Sequence, residues 1–500
     1  MRSLFFLLCA CALVLGCRTK ASSPQHRVDA AGLRDAGPAP PDFAPAGDGE
    51  AACDTDDDAL PAAHCELPAA VQRTKSAQVL LAALLARASD RNDAGQALRQ
   101  APSVLPHIAG RGISTTDSSL KTGPPAAPPP GTNANSPPSP QEHADPSLPL
   151  FREALACANT VLRLMPGSLP GLRQRAVAQR ELSHPDDARD TLTRALALAP
   201  DDTETLALAA DLYIRHLSAT REHSEIGLLY AEQGRKRLAP KAKPTPGKAS
   251  ARRLRSTGKE AALSDASRTL LARLWLLSGQ ALLDLGRASE ALPALDEALR
   301  LAEPAEARYE RAVALFELVR LPEALAAFSA LLGASPPPPA RQAAFVHHHL
   351  GLILEQRGQP ADAEKELALA RALLPEQFPE PLSVSMADFQ ALVRGQTEAL
   401  APEHAADLKR VRLELAELPD PRDLTLETPP LSPTILGLFR GLPLGEEPSE
   451  PRSIVLYRKN LLRAVRSQAE LIREIRKTLL HELGHLHGAD EDDLREEGLE

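Results

Sequence analysis

Apolar and polar residues follow two different patterns along this chain, and the change of pattern divides it into parts. Between residues 150 and 375, alanine and leucine dominate, and small and apolar residues recur at regular offsets within helix-length segments. After residue 381, Val411, Leu413 and Leu415 alternate with polar residues, as in a half-buried strand. The chain is therefore predicted to be multidomain, with an all-helical part followed by a smaller part that mixes helices and strands.

The helical part repeats itself about every 34 residues. Pro166 and Pro200 are 34 residues apart, and small or branched residues stand 12 and 5 positions before each proline. A more complete copy of the unit contains Trp275, Gly279, Leu282, Gly286, Ala291, Leu295 and Ala298. Small residues let two antiparallel helices approach closely, large residues fill the gaps between them, and proline stops the second helix.

This pattern resembles tetratricopeptide repeats over residues 146–375, with about four or five units and a basic insertion at 241–266. The resemblance implies an α-helical solenoid whose concave surface binds a peptide or a protein partner. The alternative is that the helices serve only as a spacer, or as a packing partner for the domain that follows.

The segment 380–500 is predicted to form a compact α+β domain. The stretch FQALVRGQTEAL indicates a helix, TILGLFRG and SIVLYRK indicate strands, and residues 462–486 indicate one long helix with an apolar stripe. The SIVLYRK strand, which contains Tyr457, could pair with an extended substrate by strand addition.

The long helix carries the sequence HELGH, from His481 to His485. Two histidines four positions apart lie on one face, separated by about one helical turn, whose pitch is about 5.4 Å. Their imidazoles can therefore reach one tetrahedral Zn²⁺ ion. Glu482 points toward the side of a metal-bound water and can accept its proton. The spacing predicts a zinc site with two histidine ligands and Glu482 as the catalytic base.

A third protein ligand is expected from the residues that follow the second histidine. Gly488 lets the chain leave the helix sharply, and Glu491 is the tenth residue after the first histidine. Glu491 is the first candidate for the third ligand, and Asp490 is the alternative. His487 lies on the wrong side of the helix for the same ion, so a role at the surface or beside the site is expected.

The stretch SIVLYRKNLLRAVRSQAELIREIRKTLLHELGHLHGADEDDL resembles the small zincin-like metallopeptidase family of bacteria, and ILGLFRG at residues 435–441 fits the same pattern. The resemblance spans about residues 380–498. It implies a minimal metallopeptidase domain with His481 and His485 as zinc ligands and Glu482 as the base. The chain departs from metzincins, because Glu491 stands at the third-ligand position and no methionine follows Met386.

The N-terminus has the proportions of an export signal. Arg2 precedes an apolar run at residues 4–15 that is too short to span a bilayer as a helix. The run ends in VLGC, which resembles the lipobox at which bacterial lipoproteins are cleaved and lipidated, here at Cys17. Residues 1–17 are interpreted as a lipoprotein signal, and the mature chain as an exported bacterial protein anchored to a membrane of the cell envelope, periplasmic or outer membrane. The alternative is an ordinary secretory signal with a chance cysteine.

Residues 18–145 are rich in proline and alanine and are predicted to be a disordered tether, interrupted by one helical patch at about 69–99. The cysteines in and after this tether matter because an exported chain meets oxidising conditions. Cys53 and Cys65 could pair across the stretch CDTDDDALPAAHC, which leaves Cys157 as an unpaired thiol buried in a helix.

Net charge narrows the range of functions. The chain carries a formal charge of −9 and has a pI of about 5.9, which argues against a dedicated nucleic-acid binder. The insertion at 241–266 is locally basic, and a solvated linker is favoured over a binding patch.

Together these patterns predict a lipid-anchored zinc metallopeptidase whose repeats recruit a peptide or protein substrate, or a partner complex. The alternative from another class is a non-catalytic repeat scaffold or assembly lipoprotein, with a zinc-binding or degenerate zincin domain. A metal-dependent hydrolase of non-peptide bonds is a third alternative.

Overall fold

The computed structural model of this protein describes residue 65 and residues 77–100, 145–238, 263–426, 428–446 and 451–499. The signal segment with Cys17, most of the tether, Cys53 and most of the basic insertion lie outside the described residues.

The first part of the described chain is a helical array. Its helices are α1 (Ala77–Gln100), α2 (Leu148–Leu164), α3 (Leu169–Glu181), α4 (Pro185–Leu198), α5 (Thr203–Arg215), α6 (Arg221–Leu238), α7 (Asp265–Asp284), α8 (Ala288–Ala302), α9 (Ala305–Glu317), α10 (Leu321–Leu332), α11 (Ala340–Gln356) and α12 (Pro360–Leu373). Helix α1 falls within the region where one helical patch was expected, and it packs against α2. It is therefore part of the array.

Consecutive helices of the array pack against each other in pairs, as the repeat pattern predicts. Helix α7 packs on α8 and α11 packs on α12, and a continuous core extends from α5 to the residues that follow α12. Ala291, Leu295 and Ala298 of α8 are completely buried in this core. The two alanines let neighbouring helices approach closely, as the prediction of a helical solenoid requires.

The prediction for the cysteines is wrong. Cys65 forms a disulfide with Cys157, and their Cα atoms lie 4.7 Å apart. Cys157 is fully buried on α2, where Ala88 of α1 packs beside it. Because α1 lies against α2, the chain just before α1 reaches the buried thiol. The pairing of Cys65 is therefore decided by helix packing across 92 residues of sequence rather than by the short acidic loop before it.

The second part of the chain is the predicted α+β domain. Its elements are α13 (Met386–Glu398), α14 (Pro402–Leu408), β1 (Arg412–Ala416), α15 (Pro421–Leu424), β2 (Gly437–Arg440), β3 (Ser453–Tyr457), α16 (Arg458–Ala464), α17 (Gln468–Leu486) and α18 (Glu491–Glu496). The three strands form one sheet in the order β1-β3-β2. One face of this sheet packs against α17, with Ile454 and Leu456 of β3 in the shared core.

The position of each strand in the sheet corrects the expectation for substrate pairing. Strand β3, which contains Tyr457, is the central strand: it pairs in parallel with β1 and antiparallel with β2, and it is completely buried. Neither edge of β3 is therefore open to an extended peptide. Strand β2 is an edge strand, and it adjoins the helix that carries the histidines.

The long helix predicted for residues 462–486 is two helices, α16 and α17, separated at residues 465–467. Ser467 caps α17, because its side chain accepts a hydrogen bond from the Glu470 N–H at 3.3 Å. The Glu470 carboxylate in turn accepts from the Arg466 N–H at 2.6 Å. This reciprocal arrangement resembles a capping box, whose S-x-x-E signature is present in the sequence as SQAE.

None of the described helices has both the length and the apolar character needed to cross a membrane.

Candidate metal centre

Helix α17 places its two histidines next to each other at one end of the domain. The Nε2 atoms of His481 and His485 lie 3.2 Å apart, and both side chains are partly exposed. Two ligands about 2.0–2.1 Å from a tetrahedral zinc ion stand about 3.3 Å from each other. The separation of the two nitrogens therefore suits a shared ion.

Each imidazole is oriented by a backbone carbonyl on its other nitrogen. The Nδ1 atom of His481 lies 3.1 Å from the Leu499 carbonyl oxygen, and the Nδ1 atom of His485 lies 3.0 Å from the Ala489 carbonyl oxygen. A carbonyl only accepts, so each Nδ1 carries the hydrogen and donates it. In the neutral ring the proton is then absent from Nε2, which leaves its lone pair for a metal.

The chain after α17 turns back and brings a carboxylate to the histidines. Helix α17 ends at Leu486, and Gly488, two residues further on, has φ +85°. The Ala489 N–H donates to the Gly484 carbonyl at 3.1 Å, and the Gly488 N–H donates to the His485 carbonyl at 3.0 Å. These two bonds form a Schellman motif, whose left-handed residue is most easily supplied by glycine. The turn places the start of α18 beside the C-terminal end of α17.

Glu491 is the carboxylate that reaches the pair. Its Oε1 atom lies 3.4 Å from His485 Nε2, and its Oε2 atom lies 3.8 Å from His481 Nε2. One ligand atom from each of these three residues falls within 4.8 Å of the others. Two imidazole nitrogens and one carboxylate oxygen are a donor set typical of catalytic zinc, so these residues fit the metal that the HELGH sequence implies.

The alternative third ligand, Asp490, has a different task. It is the N-cap of α18, and its Oδ1 atom accepts from the Asp492 and Asp493 N–H groups at 2.9 Å each. His487 is also separate from the cluster, because its Nε2 atom pairs with Asp407 at 2.7 Å. The structure thus brings together His481, His485 and Glu491.

Glu482 faces the opposite wall of the site and is 5% exposed. Burial raises its pKa to about 7, although the nearby backbone N–H of Phe439 in β2 acts to lower it. The approach of α17 to β2 depends on Gly437, where a Cβ atom would stand 2.6 Å from Thr478 Cγ2 and 2.8 Å from Glu482 Oε1. A side chain at residue 437 would therefore collide with the candidate base.

The charges of the site balance each other within the cluster. The hydrogen bond that the protonated His485 ring donates to the Glu491 carboxylate raises the pKa of His485 to about 8, and the same contact lowers the pKa of Glu491. Burial lowers the pKa of His481. A neutral imidazole and an ionised carboxylate are the forms that bind zinc, and His481 and Glu491 are both shifted toward them.

These groups line an open cleft of about 500 Å³ between α17 and β2. Its other wall is largely apolar. The lining residues outside the cluster are Leu431, Ile435, Leu436, Gly437, Leu438, Phe439, Gly441, Pro443, Glu474, Lys477, Thr478, Gly488, Ala489 and Leu499. The contributions of the Ala489 and Leu499 carbonyls and of the Phe439 N–H could not be read from side-chain patterns, because they are made by the backbone.

A helical repeat array joined to a small α+β domain, with an HExxH helix and a converging carboxylate, defines a repeat protein that carries a zincin-type site. Residues 408–499 match the family model of the zincin-like metallopeptidases, and residues 276–339 match a tetratricopeptide repeat model. Both predicted resemblances are confirmed. No curated protein matches the chain.

Several solved structures of helical repeat proteins are similar to part of the chain. YrrB, a TPR protein with an unusual peptide-binding site, shares 17% identity over 44% of this chain and 93% of its own, with a TM-score of 0.30. Pseudomonas aeruginosa pilF shares 15% identity over 48% of this chain and 89% of its own, with a TM-score of 0.33. TTC0263, a thermophilic TPR protein of Thermus thermophilus, shares 21% identity over 44% of this chain and 93% of its own, with a TM-score of 0.27. These low values say nothing about what this chain binds.

Proposed function

We propose that the C-terminal domain is a zinc-dependent peptidase. In this proposal His481, His485 and Glu491 bind the metal, and Glu482 is the general base. The observation that carries the proposal is the convergence of two Nε2 atoms and one carboxylate at tetrahedral spacing, next to a buried glutamate and an open cleft. The match to the zincin-like metallopeptidases supports the same class of reaction.

Zinc held by these ligands would supply a Lewis acid that polarises a scissile carbonyl and lowers the pKa of water. The chain's own residues do the rest. Glu482, whose pKa is raised to about 7, takes the proton of the attacking water and passes it to the leaving amine. The Phe439 N–H lies near this carboxylate, and the Leu499 and Ala489 carbonyls keep the imidazoles in place.

The substrate lies as an extended peptide along the free edge of β2. The Leu436 carbonyl accepts from the Tyr457 N–H, so the backbone polar groups of residue 436 face β3. These groups alternate in direction along a strand, so those of residues 437 and 439 face away from β3. Phe439 is one of these residues, and its N–H reaches Glu482. An extended peptide added at this edge passes directly beside the candidate base, and the apolar side chains of one wall, at residues 431, 435 and 436, can contact its apolar side chains.

The repeat array supplies a second surface, which recruits a peptide or protein substrate or a partner complex. The support for this role is the tetratricopeptide match, since helical repeats of this kind form extended concave binding surfaces. The array and the peptidase domain belong to one chain, so binding at the array raises the local concentration of substrate at the cleft.

The protein is proposed to be an exported lipoprotein tethered through Cys17. The support is the apolar run that ends in VLGC, together with the Cys65–Cys157 disulfide, since disulfides persist in oxidising compartments. Replacement of Cys17 by serine is expected to release the chain from the membrane fraction of cells that express it. Continued membrane attachment of the Cys17→Ser chain would contradict the anchor.

The test of the activity uses the full-length chain, a peptide library and the substitution Glu482→Gln. The wild-type chain with one zinc is expected to cleave a subset of peptides. The Glu482→Gln chain is expected to keep its zinc and lose at least about 100-fold in rate, because the general base is removed and the ligands remain. Cleavage at the wild-type rate by the variant overturns the proposal, and zinc binding without any cleavage by the wild type favours the scaffold.

A further inference from the structure

We propose that the last repeat of the array holds the wall of the substrate cleft in place through helix α16. The wall is the segment 431–436, which precedes β2. Glu355 in the array and Asn460 in α16 are then positioning residues for substrate. This inference rests on the proposed peptidase function for its substrate, but the coupling between the array and the wall can be measured without it.

Glu355 fixes α16 to the array. It lies on α11, and its side chain is only 8% exposed. Its Oε1 atom accepts from Lys459 Nζ at 2.8 Å, and its Oε2 atom pairs with the Arg463 guanidinium. The two cations stand four residues apart on α16, so one buried carboxylate binds both ends of a single helical turn. Removal of that carboxylate leaves two partly buried cations without this partner, which is expected to weaken the attachment of α16 to the array.

Asn460 fixes the cleft wall to the same helix. It follows Lys459 directly and is 5% exposed. Its Nδ2 group donates to the Pro433 carbonyl oxygen at 3.0 Å and to the Ile435 carbonyl oxygen at 2.8 Å. One amide group therefore satisfies two backbone acceptors of an irregular segment, and leaving them buried without a donor would cost free energy. The wall is attached to α16, and α16, which also packs in the core of the α+β domain, is attached to the array through Glu355.

The array also lies near the wall at a second point. Burial raises the pKa of the Glu317 carboxyl group, at the end of α9, and the nearby Ser432 side chain opposes this rise. Ser432 in turn contacts the Thr434 hydroxyl at 2.8 Å and accepts from the Thr434 N–H at 3.2 Å. Two repeat units of the array thus lie near this short wall, and one of them is connected to it through α16.

The wall leads into the residues that face the base. Ile435 and Leu436 line the cleft, and the next residue, Gly437, lies against Glu482. A wall that loses its attachment to α16 displaces the start of β2, where the substrate is proposed to bind. The zinc ligands lie on α17 and α18, neither of which is held by α16 through Glu355 or Asn460. The coupling is therefore expected to affect substrate use and leave zinc binding intact.

The experiment compares the full-length variants Glu355→Gln and Asn460→Ala with matched controls. Glu323→Gln removes an exposed, ion-paired glutamate of α10, and Asn159→Ala removes a partly exposed asparagine of α2. Each chain is measured for zinc content, for hydrogen exchange in residues 431–438, and for kcat and KM on a peptide that the wild type cleaves. Lys459→Gln, which leaves the Arg463 pair intact, provides a milder variant if Glu355→Gln does not fold.

Both test variants are expected to keep one zinc per chain, to exchange faster in residues 431–438, and to lose about tenfold in kcat/KM. The controls are expected to behave as the wild type. Unchanged exchange in residues 431–438 in both test variants overturns the inference, and so does loss of zinc from them, because it would mean damage to the whole domain. If the wild type cleaves no peptide, the proposed function fails, and the exchange measurement still decides the coupling.

Discussion

At the scale of single residues, the site depends on how each side chain is held as much as on which side chains are present. HELGH puts two imidazoles on one helical face, but it does not decide which ring nitrogen is free. The carbonyls of Leu499 and Ala489 decide it, since both bind Nδ1 and leave Nε2 toward the cluster. Neither contact leaves a signature in the sequence, because any residue supplies a carbonyl.

The choice between Glu491 and Asp490 as third ligand can be tested with two substitutions. Glu491→Ala is expected to weaken zinc binding by at least about 100-fold, because it removes a direct ligand. Asp490→Asn is expected to leave zinc affinity within about threefold, because asparagine caps a helix as well as aspartate does. Competition titration with a zinc chelator measures both. A large loss of affinity in Asp490→Asn with little change in Glu491→Ala would reverse the assignment.

At the scale of elements, the site depends on how closely α17 approaches β2. The sequence predicted the helix, the strand and the HELGH motif, because each has a clear local pattern. It did not predict the contact between them, since a glycine at residue 437 shows only that some close approach or turn is present. The sequence also did not predict the break between α16 and α17 at residues 465–467. The SQAE capping signature is present there, but the apolar stripe continues on both sides of it and suggests a single helix.

The substitution Gly437→Ala tests the importance of this approach. The new Cβ atom would meet Thr478 and Glu482 at less than 3 Å, so α17 must shift or Glu482 must change rotamer. We expect a loss of about 1–3 kcal/mol in the free energy of unfolding, together with a fall in activity.

Gly395→Ala is the matched control, because residue 395 is an exposed position of α13 with nothing within 4 Å of a new Cβ atom. It is expected to be neutral or to stabilise the chain by about 0.5–1 kcal/mol. Urea unfolding and peptide cleavage measure both variants. Equal behaviour of the two alanine variants would contradict the role given to Gly437.

At the scale of the whole molecule, the sequence predicted two folded parts and their order correctly, because both have repeated or specific motifs. It could not show that the parts contact each other, since Glu355 and Asn460 are ordinary polar residues until the fold brings partners to them. The cysteine pairing failed for the same reason: Cys65 is near Cys53 in sequence, but near Cys157 once α1 has packed on α2.

The array also contains a source of pH dependence that the sequence did not reveal. His349 of α11 is 2% exposed and packs against the rings of Tyr309, Phe316 and Phe328. Burial lowers its pKa from 6.5 to about 4. Its contribution to stability is complete above pH 6.5, where the unfolded chain is also neutral at this position. It is lost as the pH falls from 6.5 toward 4, because the unfolded chain then binds a proton that the folded chain excludes.

The substitution His349→Leu is therefore expected to reduce the loss of stability on acidification. Between pH 7 and pH 5 the wild type should lose about 2 kcal/mol more than the variant. The measurement is the urea dependence of unfolding at both pH values, compared with His404→Leu as a control outside the array. The proposed zinc ligands are the same in all three chains, so their contribution cancels in the differences. An identical pH dependence of wild type and His349→Leu would contradict the burial of a neutral imidazole.

The most direct test of the central claim is X-ray absorption at the zinc edge on the full-length chain loaded with one equivalent of zinc. We expect one zinc per chain, bound by two imidazole nitrogens at about 2.0–2.1 Å and by carboxylate oxygen. This signal should persist in Glu482→Gln and disappear in His485→Ala. A chain that binds no zinc, or a spectrum with cysteine sulfur or a single imidazole, would contradict the claim that His481, His485 and Glu491 form the metal centre.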